Sequence, residues 1–337
     1  MHYAIIDKKH AEALRSQLAK RNFLRKNAGV LHSDSYVLFP VNNATATIKK
    51  LLKKQGSRLV ERMAEERRAE ALPEANARVA RGYDMLGNIA IIEGYRASKR
   101  EIKKFADSLL KAHKSIRTVI IKAGPVSGRY RTRRFSYVAG ERNYIADMWE
   151  NGCRFVFDVR KAFFSSRLSF ERSRISALSK KKEKVIVMFA GVGPFVVEIA
   201  KCNPKAEVLG IELNSYAAAA MAKNIKLNKT GNAMAICADV KEAANRYRGF
   251  ADRIVMPLPK DSGKFLDEAF TMAKKRAALH VYIFGIRKTA KRDALEYIKK
   301  RAKARRIAIR LKNWRMVREY SHREIEIVLD LILAKGR

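Results

Sequence analysis

The sequence predicts an α/β protein: a doubly wound, mostly parallel sheet that ends in an antiparallel hairpin. Three observations carry this. From Lys184 onward, short Val- and Ile-rich runs (VIVMF, EVLGIE, AMAICAD, RIVMPL, HVYIFG) alternate with helix-forming stretches, as strands joined by helical crossovers do. The first run passes into a glycine loop, AGVGPF, that opens an apolar helical stretch. The last two runs, RIAIRLKNWRMVREY and IEIVLDLILA, follow one another with no helix between them.

The remaining elements follow in chain order. Residues 1–45 read as a small N-terminal α/β module: an apolar start at Tyr3 to Ile6, a helix with Ala11, Leu14, Leu18 and Phe23 on one face, and a closing strand SYVLFPV. Residues 46–72 are rich in helix formers and charge, and predict a solvated connecting helix. Residues 73–175 predict a middle α+β domain, with strands at Ile89 to Ile92 and Thr118 to Lys122 around a helix at Lys99 to Ala112. A helix beginning near Ser169 carries Glu171 in its first turn, and residues 176–337 hold the sheet. Trp149 and Trp314 are expected in packing roles.

Composition bounds the function. The chain has 337 residues, enough for two domains and a small module at roughly 150 residues per domain. A hydrophobic fraction of 47% excludes disorder throughout, and no run of about 18 apolar residues is present to form a membrane helix. The opening MHYAIIDKKH lacks a basic-then-apolar signal region, and Cys153, Cys202 and Cys237 form no CxxC pair. A cytoplasmic chain with reduced thiols and no metal is expected. The net charge of +39 points to a polyanionic partner, because such a surface releases counterions from phosphates; a general proteome bias toward Lys and Arg is the alternative.

The chemistry should sit at the carboxyl edge of the sheet. Glycines in the loop let backbone approach a ligand at a helix N-terminus, and Glu212 ends the next strand at the roughly 20-residue offset that suits an acid on ribose hydroxyls. Asp239 ends the third strand, where a carboxylate can lie beside adenine. The expected cofactor-binding set is Phe189, Ala190, Gly191, Val192, Gly193, Glu212, Leu213, Asp239 and Val240. The loop lacks the third glycine of a dinucleotide fingerprint and continues into Pro194, which favours S-adenosylmethionine over NAD. Strand followed by helix, closed by an antiparallel hairpin, is the arrangement of class I S-adenosylmethionine methyltransferases: Rossmann-like and seven-stranded. The basic-aromatic stretch RYRTRRFSY suits phosphate neutralisation with base stacking; an exposed basic edge strand is the plainer alternative.

With MFAGVGPF, IELN, NIKLNK and DRIVMPLPK, joined by ENGCRF, SGRYRTR and FFSSRLSFER upstream, nearly the whole chain resembles the archaeal and eukaryotic-type tRNA (guanine-N1)-methyltransferases acting at position 37. The resemblance implies methyl transfer to N1 of the guanine 3′ of the anticodon, with tRNA (anticodon loop and body) as partner, no membrane, and a monomer. Residues 1–45 would be the tRNA-docking module. Glu171, in the SxRLSxER segment, would take the N1 proton, and Arg131, in SGxxRTR, would hold O6. Phe163, Arg167, Arg133, Pro257, Pro259 and Lys260 would contact the substrate. A helix-capping Glu171 and a phosphate-binding Arg131 are the structural alternatives.

Three positions depart from the family pattern. Pro257 replaces an asparagine, Phe163 a tyrosine and Val187 an aspartate. The proline points toward the archaeal subgroup that also methylates C7 of 4-demethylwyosine. An aminocarboxypropyl transferase using the same cofactor, and a catalytically idle tRNA-binding homologue, are the rival readings; an NAD enzyme is disfavoured by the glycine pattern.

Overall fold

The computed structural model describes residues 2–7, 11–21, 23–24, 31–32, 36–41, 46–54, 58–61, 83–93, 97–125 and 127–336. They fall into two compact units, Met1–Leu72 and Pro73–Arg337. The first runs β1 (His2–Asp7), α1 (Ala11–Lys20), β2 (Leu31–His32), β3 (Tyr36–Val41), α2 (Ala46–Lys54) and β4 (Arg58–Glu61). Its strands form an antiparallel sheet in the order β2-β3-β1-β4. Leu14 and Leu18 of α1 share a core with Ile6, Val37 and Phe39, as the helical spacing predicts.

The continuous connecting helix expected over 46–72 does not form. The helix stops at Lys54, and Arg58–Glu61 returns as an edge strand paired with β1. Ile48, Leu51 and Leu52 lie three and four residues apart, so they make an apolar stripe that buries in the first unit rather than facing water. Residues 62–72 lie outside the described residues.

The second unit opens with β5 (Tyr83–Leu86), β6 (Ile89–Ile92), α3 (Lys99–Ala112), β7 (Thr118–Lys122) and β8 (Phe135–Gly140), a four-stranded sheet in that strand order. Here α3 crosses between parallel β6 and β7, and starts on a capping box of Ser98 and Glu101. A hairpin follows, β9 (Ile145–Glu150) and β10 (Cys153–Asp158). Its two turn residues, Asn151 and Gly152, have φ of 49° and 77°, the left-handed conformation that a two-residue hairpin needs to match strand twist.

After α4 (Ser169–Leu178) come β11 (Lys184–Met188), α5 (Pro194–Cys202), β12 (Glu207–Glu212), α6 (Ser215–Leu227), β13 (Ala233–Cys237), α7 (Val240–Arg246) and β14 (Ala251–Met256). The chain ends with α8 (Leu266–Met272), β15 (Ala273–Ile286), α9 (Ala290–Lys303), β16 (Ile307–Glu319) and β17 (Glu324–Lys335). These strands form one seven-stranded sheet, β13-β12-β11-β14-β15-β17-β16, parallel except for β17. This is the expected architecture. The boundary drawn at residue 175 falls inside α4, and Pro73–Arg337 forms a single unit.

Both faces of the sheet are covered. One core gathers Ile175 of α4, Phe195 of α5 and Met221 of α6 against Val185, Tyr282 and Val328. The other sets α7, α8 and α9 against Ile186, Val281 and Leu329. The β9–β10 hairpin is fastened to α6 by two asparagines of the NIKLNK segment. Asn224 accepts from the Val156 N–H (2.9 Å); Asn228 accepts from the Arg154 N–H (2.8 Å) and donates to the Arg154 carbonyl (2.7 Å). Trp149 and Trp314 do not pack as expected: they are 55% and 39% exposed, because both project outward from their strands. Among the described residues no helix is long and apolar enough to cross a membrane.

A buried guanidinium fixes α4 to the hairpin. Arg172, 2% exposed, donates to both oxygens of Glu150 (2.5 and 2.7 Å) and to the Ser165 carbonyl (2.8 Å), and its Nε lies 3.7 Å from Glu198. Burial, and then the Glu150 charge, push the Glu198 carboxyl well up. Arg172→Ala strands two buried carboxyls without a counter-charge and is expected to cost about 3–5 kcal/mol in urea unfolding. A loss near zero would show that this arginine does not hold the helix.

Candidate active site

The glycine loop has the geometry its sequence implies. Phe189, Gly191 and Gly193 all have positive φ (55°, 57° and 87°), which turns the chain from β11 into α5 with Pro194 at the first helical turn. A Cβ on Gly193 would stand 2.6 Å from Met221 Cγ, so this position requires glycine for space as well as for conformation. A Cβ on Gly191 would meet only the Phe163 carbonyl, at 3.7 Å. Its backbone therefore faces open space beside the FFSS segment.

Acceptors line that space. Glu212 accepts from the Gly191 N–H and the Asn214 N–H, both at 2.8 Å. Burial raises its carboxyl above the ordinary value, and these backbone N–H groups counter the rise. Asp239 caps α7 by accepting from the Lys241 N–H (2.9 Å) and pairs with Arg129 (2.8 Å). Ala190, Val192 and Val240 are buried, while Leu213 is half-buried. Phe189 packs edge-on against Phe265, with ring centroids 4.9 Å apart. Val187, at the family's aspartate position, is fully buried in the core.

The basic segment reaches across the same edge. Ser127 and Thr132 pair across a tight turn, in which Arg131 adopts φ +52°. Arg129 meets Asp239 at the end of β13, and Arg131 stands 3.9 Å from Asp261 in the loop after β14. In that loop Ser262 donates to the Met256 carbonyl (3.0 Å), and the Pro259 carbonyl accepts from the Phe284 N–H (3.2 Å). Pro257 and Pro259 are thus set beside β15, and Lys260 is exposed. Phe163 is 49% exposed, Arg167 lies 3.5 Å from Asp84, and Arg133 is half-buried.

Glu171 is 2% exposed and engaged on both oxygens. It accepts from Arg174 (2.9 Å) and Tyr282 Oη (2.7 Å), and pairs with Arg315 (2.8 Å). Its carboxylate is directed to these side chains; the α4 cap residue, Leu168, makes no side-chain cap. The cluster continues inward. Arg174 pairs with Asp330 (2.7 Å), which meets His280 Nδ1 (2.6 Å); Arg253 lies 2.6 Å from His280 Nε2 and 2.8 Å from Glu183. Burial lowers the His280 pKa, and these partners suit a neutral ring that donates from Nδ1 and accepts at Nε2.

Sequence reasoning overlooked these partners, and Glu326. Glu326 is 0% exposed, pairs with Arg318 (2.6 Å), and leaves Oε1 without a partner among the described residues. Burial raises its carboxyl, Arg318 opposes the rise, Glu171 adds to it and Arg131 opposes it. The fields of Glu171 and Arg131 thus meet at Glu326. The available signal was two acids, Glu326 and Asp330, spaced four apart within the apolar run IEIVLDLILA.

Comparison with known proteins matches residues 147–310 to the TRM5/TYW2 methyltransferase domain, 65–143 to the TYW2 N-terminal domain and 5–55 to the tRNA methyltransferase 5 N-terminal domain. The tRNA (guanine(37)-N(1))-methyltransferase Trm5b of Pyrococcus abyssi is 36% identical over 249 residues, covering 74% of this chain and 73% of that one. The tRNA (guanine(37)-N(1))/4-demethylwyosine(37)-methyltransferase Taw22 of Nanoarchaeum equitans is 30% identical, covering 76% and 97%. A solved complex of aTrm5 with tRNALeu superposes with a TM-score of 0.69 at 26% identity, covering 98% and 99%. Sequence identity at this level, carried along most of the chain and over the same folded framework, means that the chain belongs to the Trm5-type tRNA methyltransferases.

Proposed function

We propose that the protein methylates N1 of guanosine 37 in tRNA, with S-adenosylmethionine as donor. What supports this reading is the carboxyl edge of one sheet: Glu212 meets the glycine loop there, the Arg129–Arg131 turn meets Asp239 and Asp261, and Arg131 and Glu171 both act on the buried Glu326.

The donor fits the residues present. Gly191 leaves room for a ligand against bare backbone, Glu212 and Asp239 offer acceptors on neighbouring strands, and Phe189, Ala190, Val192, Gly193, Leu213 and Val240 shape the wall. When bound, it supplies an electrophilic methyl group. The protein must then handle a proton and a charge. Guanine N1 carries a proton at neutral pH, so attack requires an acceptor for it and a cation for the charge that develops on O6. Glu171 is the acceptor in this reading, oriented by Arg174, Arg315 and Tyr282. Arg131, only loosely held by Asp261, is the cation on O6. Phe163, Arg167, Arg133, Pro257, Pro259 and Lys260 line the approach of the anticodon loop, and the first unit docks on the tRNA body. A cytoplasmic monomer with free cysteines completes the reading.

A second substrate is favoured by one residue. Pro257 puts a ring where an amide side chain would crowd and hydrogen-bond the base, which suits the tricyclic 4-demethylwyosine. tRNA carrying that base should accept a methyl group, and no incorporation would remove the idea.

Unmodified tRNA incubated with enzyme and donor should yield 1-methylguanosine by nucleoside mass spectrometry. An aminocarboxypropyl increment, or no product, would overturn the main reading. Arg131→Ala and Glu171→Gln should each lower kcat by about 10²–10⁴-fold while donor affinity by calorimetry holds. Equal loss of both would indicate damage to the fold. Gly193→Ala, strained in φ and pressed on Met221, should lose about 1–3 kcal/mol of stability and weaken donor binding.

A further inference from the structure

Glu326 has an open oxygen in a place where an open oxygen is costly. A buried polar atom without a partner forfeits hydrogen bonds that water would supply, so each one calls for an explanation. The strand register shows what surrounds it. Glu326 stands directly opposite Phe284 on β15 and Arg318 on β16, and cross-strand partners project to the same face. Tyr282, two residues before Phe284, is on that face too and donates to Glu171. Phe284 in turn packs against Tyr320 with the rings tilted at 44° and centroids 4.6 Å apart, and Tyr320 is 62% exposed at the hairpin tip. The Phe284 N–H donates to the Pro259 carbonyl, which puts this group beside the loop after β14.

The geometry points to a guanine-reading wall: Glu326 Oε1 accepts from the 2-amino group of the target guanine, leaving N1–H to Glu171, while Phe284 and Tyr320 offer a face for a base to stack on. This rests on the proposed tRNA guanine substrate and deepens it. Among the four standard RNA bases only guanine presents adjacent N–H and NH2 donors on its Watson–Crick edge, so one carboxylate can take the ring proton while a second accepts from the amino group. Adenine has no 2-amino group and presents a lone pair at N1. Beside Glu326, Arg318 is 25% exposed, and its long guanidinium can turn without backbone motion. Glu171 is oriented by its own partners for the ring proton, and Glu326 Oε1, with no hydrogen bond among the described residues, is left for the amino group.

The test measures tRNA affinity without methyl donor, for transcripts carrying guanosine, inosine or adenosine at position 37. Inosine keeps N1–H and lacks the 2-amino group. Wild-type protein should bind the guanosine transcript about tenfold more tightly than the adenosine one, with inosine between. Glu326→Gln, which loses the charge, should bring guanosine down toward inosine while melting temperature and donor affinity hold. Glu326→Asp, which keeps the charge and withdraws the oxygen, serves as second variant should the amide disturb folding. Tyr320→Ala should weaken all three alike by about tenfold, and Tyr320→Phe should not. Undiminished discrimination in both Glu326 variants, as water at Oε1 would produce, overturns the inference. A wild-type enzyme that forms 1-methylguanosine yet binds all three transcripts alike overturns it as well, leaving the proposed function standing. Failure to form any methylated product sinks that function instead.

Discussion

Arg174 is the side chain on which the rest of the site depends. It sits between two carboxylates, Glu171 of α4 and Asp330 of β17, and all three are buried. Taking such charges out of solvent costs more than one ion pair returns, so the arrangement persists only when every partner is in place. Here it is extended rather than isolated: Asp330 is shared with His280, and Arg253 bridges His280 to Glu183 and to the Leu178 carbonyl at the end of α4. The result is a row of charged groups linked through a neutral imidazole, which holds α4 on the sheet. Where Glu171 points is therefore decided several residues away, in the interior.

The mouth of the site follows the opposite logic. Arg129 and Arg131 meet Asp239 and Asp261 in partly exposed pairs, which are worth little in water and are readily exchanged. In a chain of net charge +39, these acids are local exceptions that hold a cationic turn over the edge of the sheet until a stronger anion replaces them. Rigid charge inside and exchangeable charge outside is a division of labour suited to a polyanionic substrate presenting one base for reaction.

The sheet was legible in the sequence because its strands are short apolar runs with little ambiguity of period, and because glycine and acid fall at strand ends where backbone geometry demands them. Glu212 meets the glycine loop at the Gly191 N–H, and Asp239 follows the neighbouring strand. The helix at Ala46–Lys54 was legible only in part: its lysines read as solvated, while Ile48, Leu51 and Leu52 are buried, and the strand that follows is four residues long. The partners of Glu171 could not be read at all. Tyr282, Arg315 and Asp330 reach it through strand register, and register depends on tertiary pairing that no local pattern encodes. Glu326 left a faint mark, an acid in an apolar strand, whose meaning depends on which residues stand opposite.

Asn224 and Asn228, one helical turn apart on α6, lie along β10 with their amides serving as the missing neighbouring strand. A strand in a two-stranded ribbon leaves a row of donors and acceptors open, and open rows recruit foreign chains. By occupying that row with side chains, the helix makes the ribbon unavailable for intermolecular sheet growth. The folded domain thereby keeps that edge of the ribbon occupied, and Asn224 also donates to the Val192 carbonyl of the glycine loop (3.0 Å), so the same side chain that closes the edge steadies the loop.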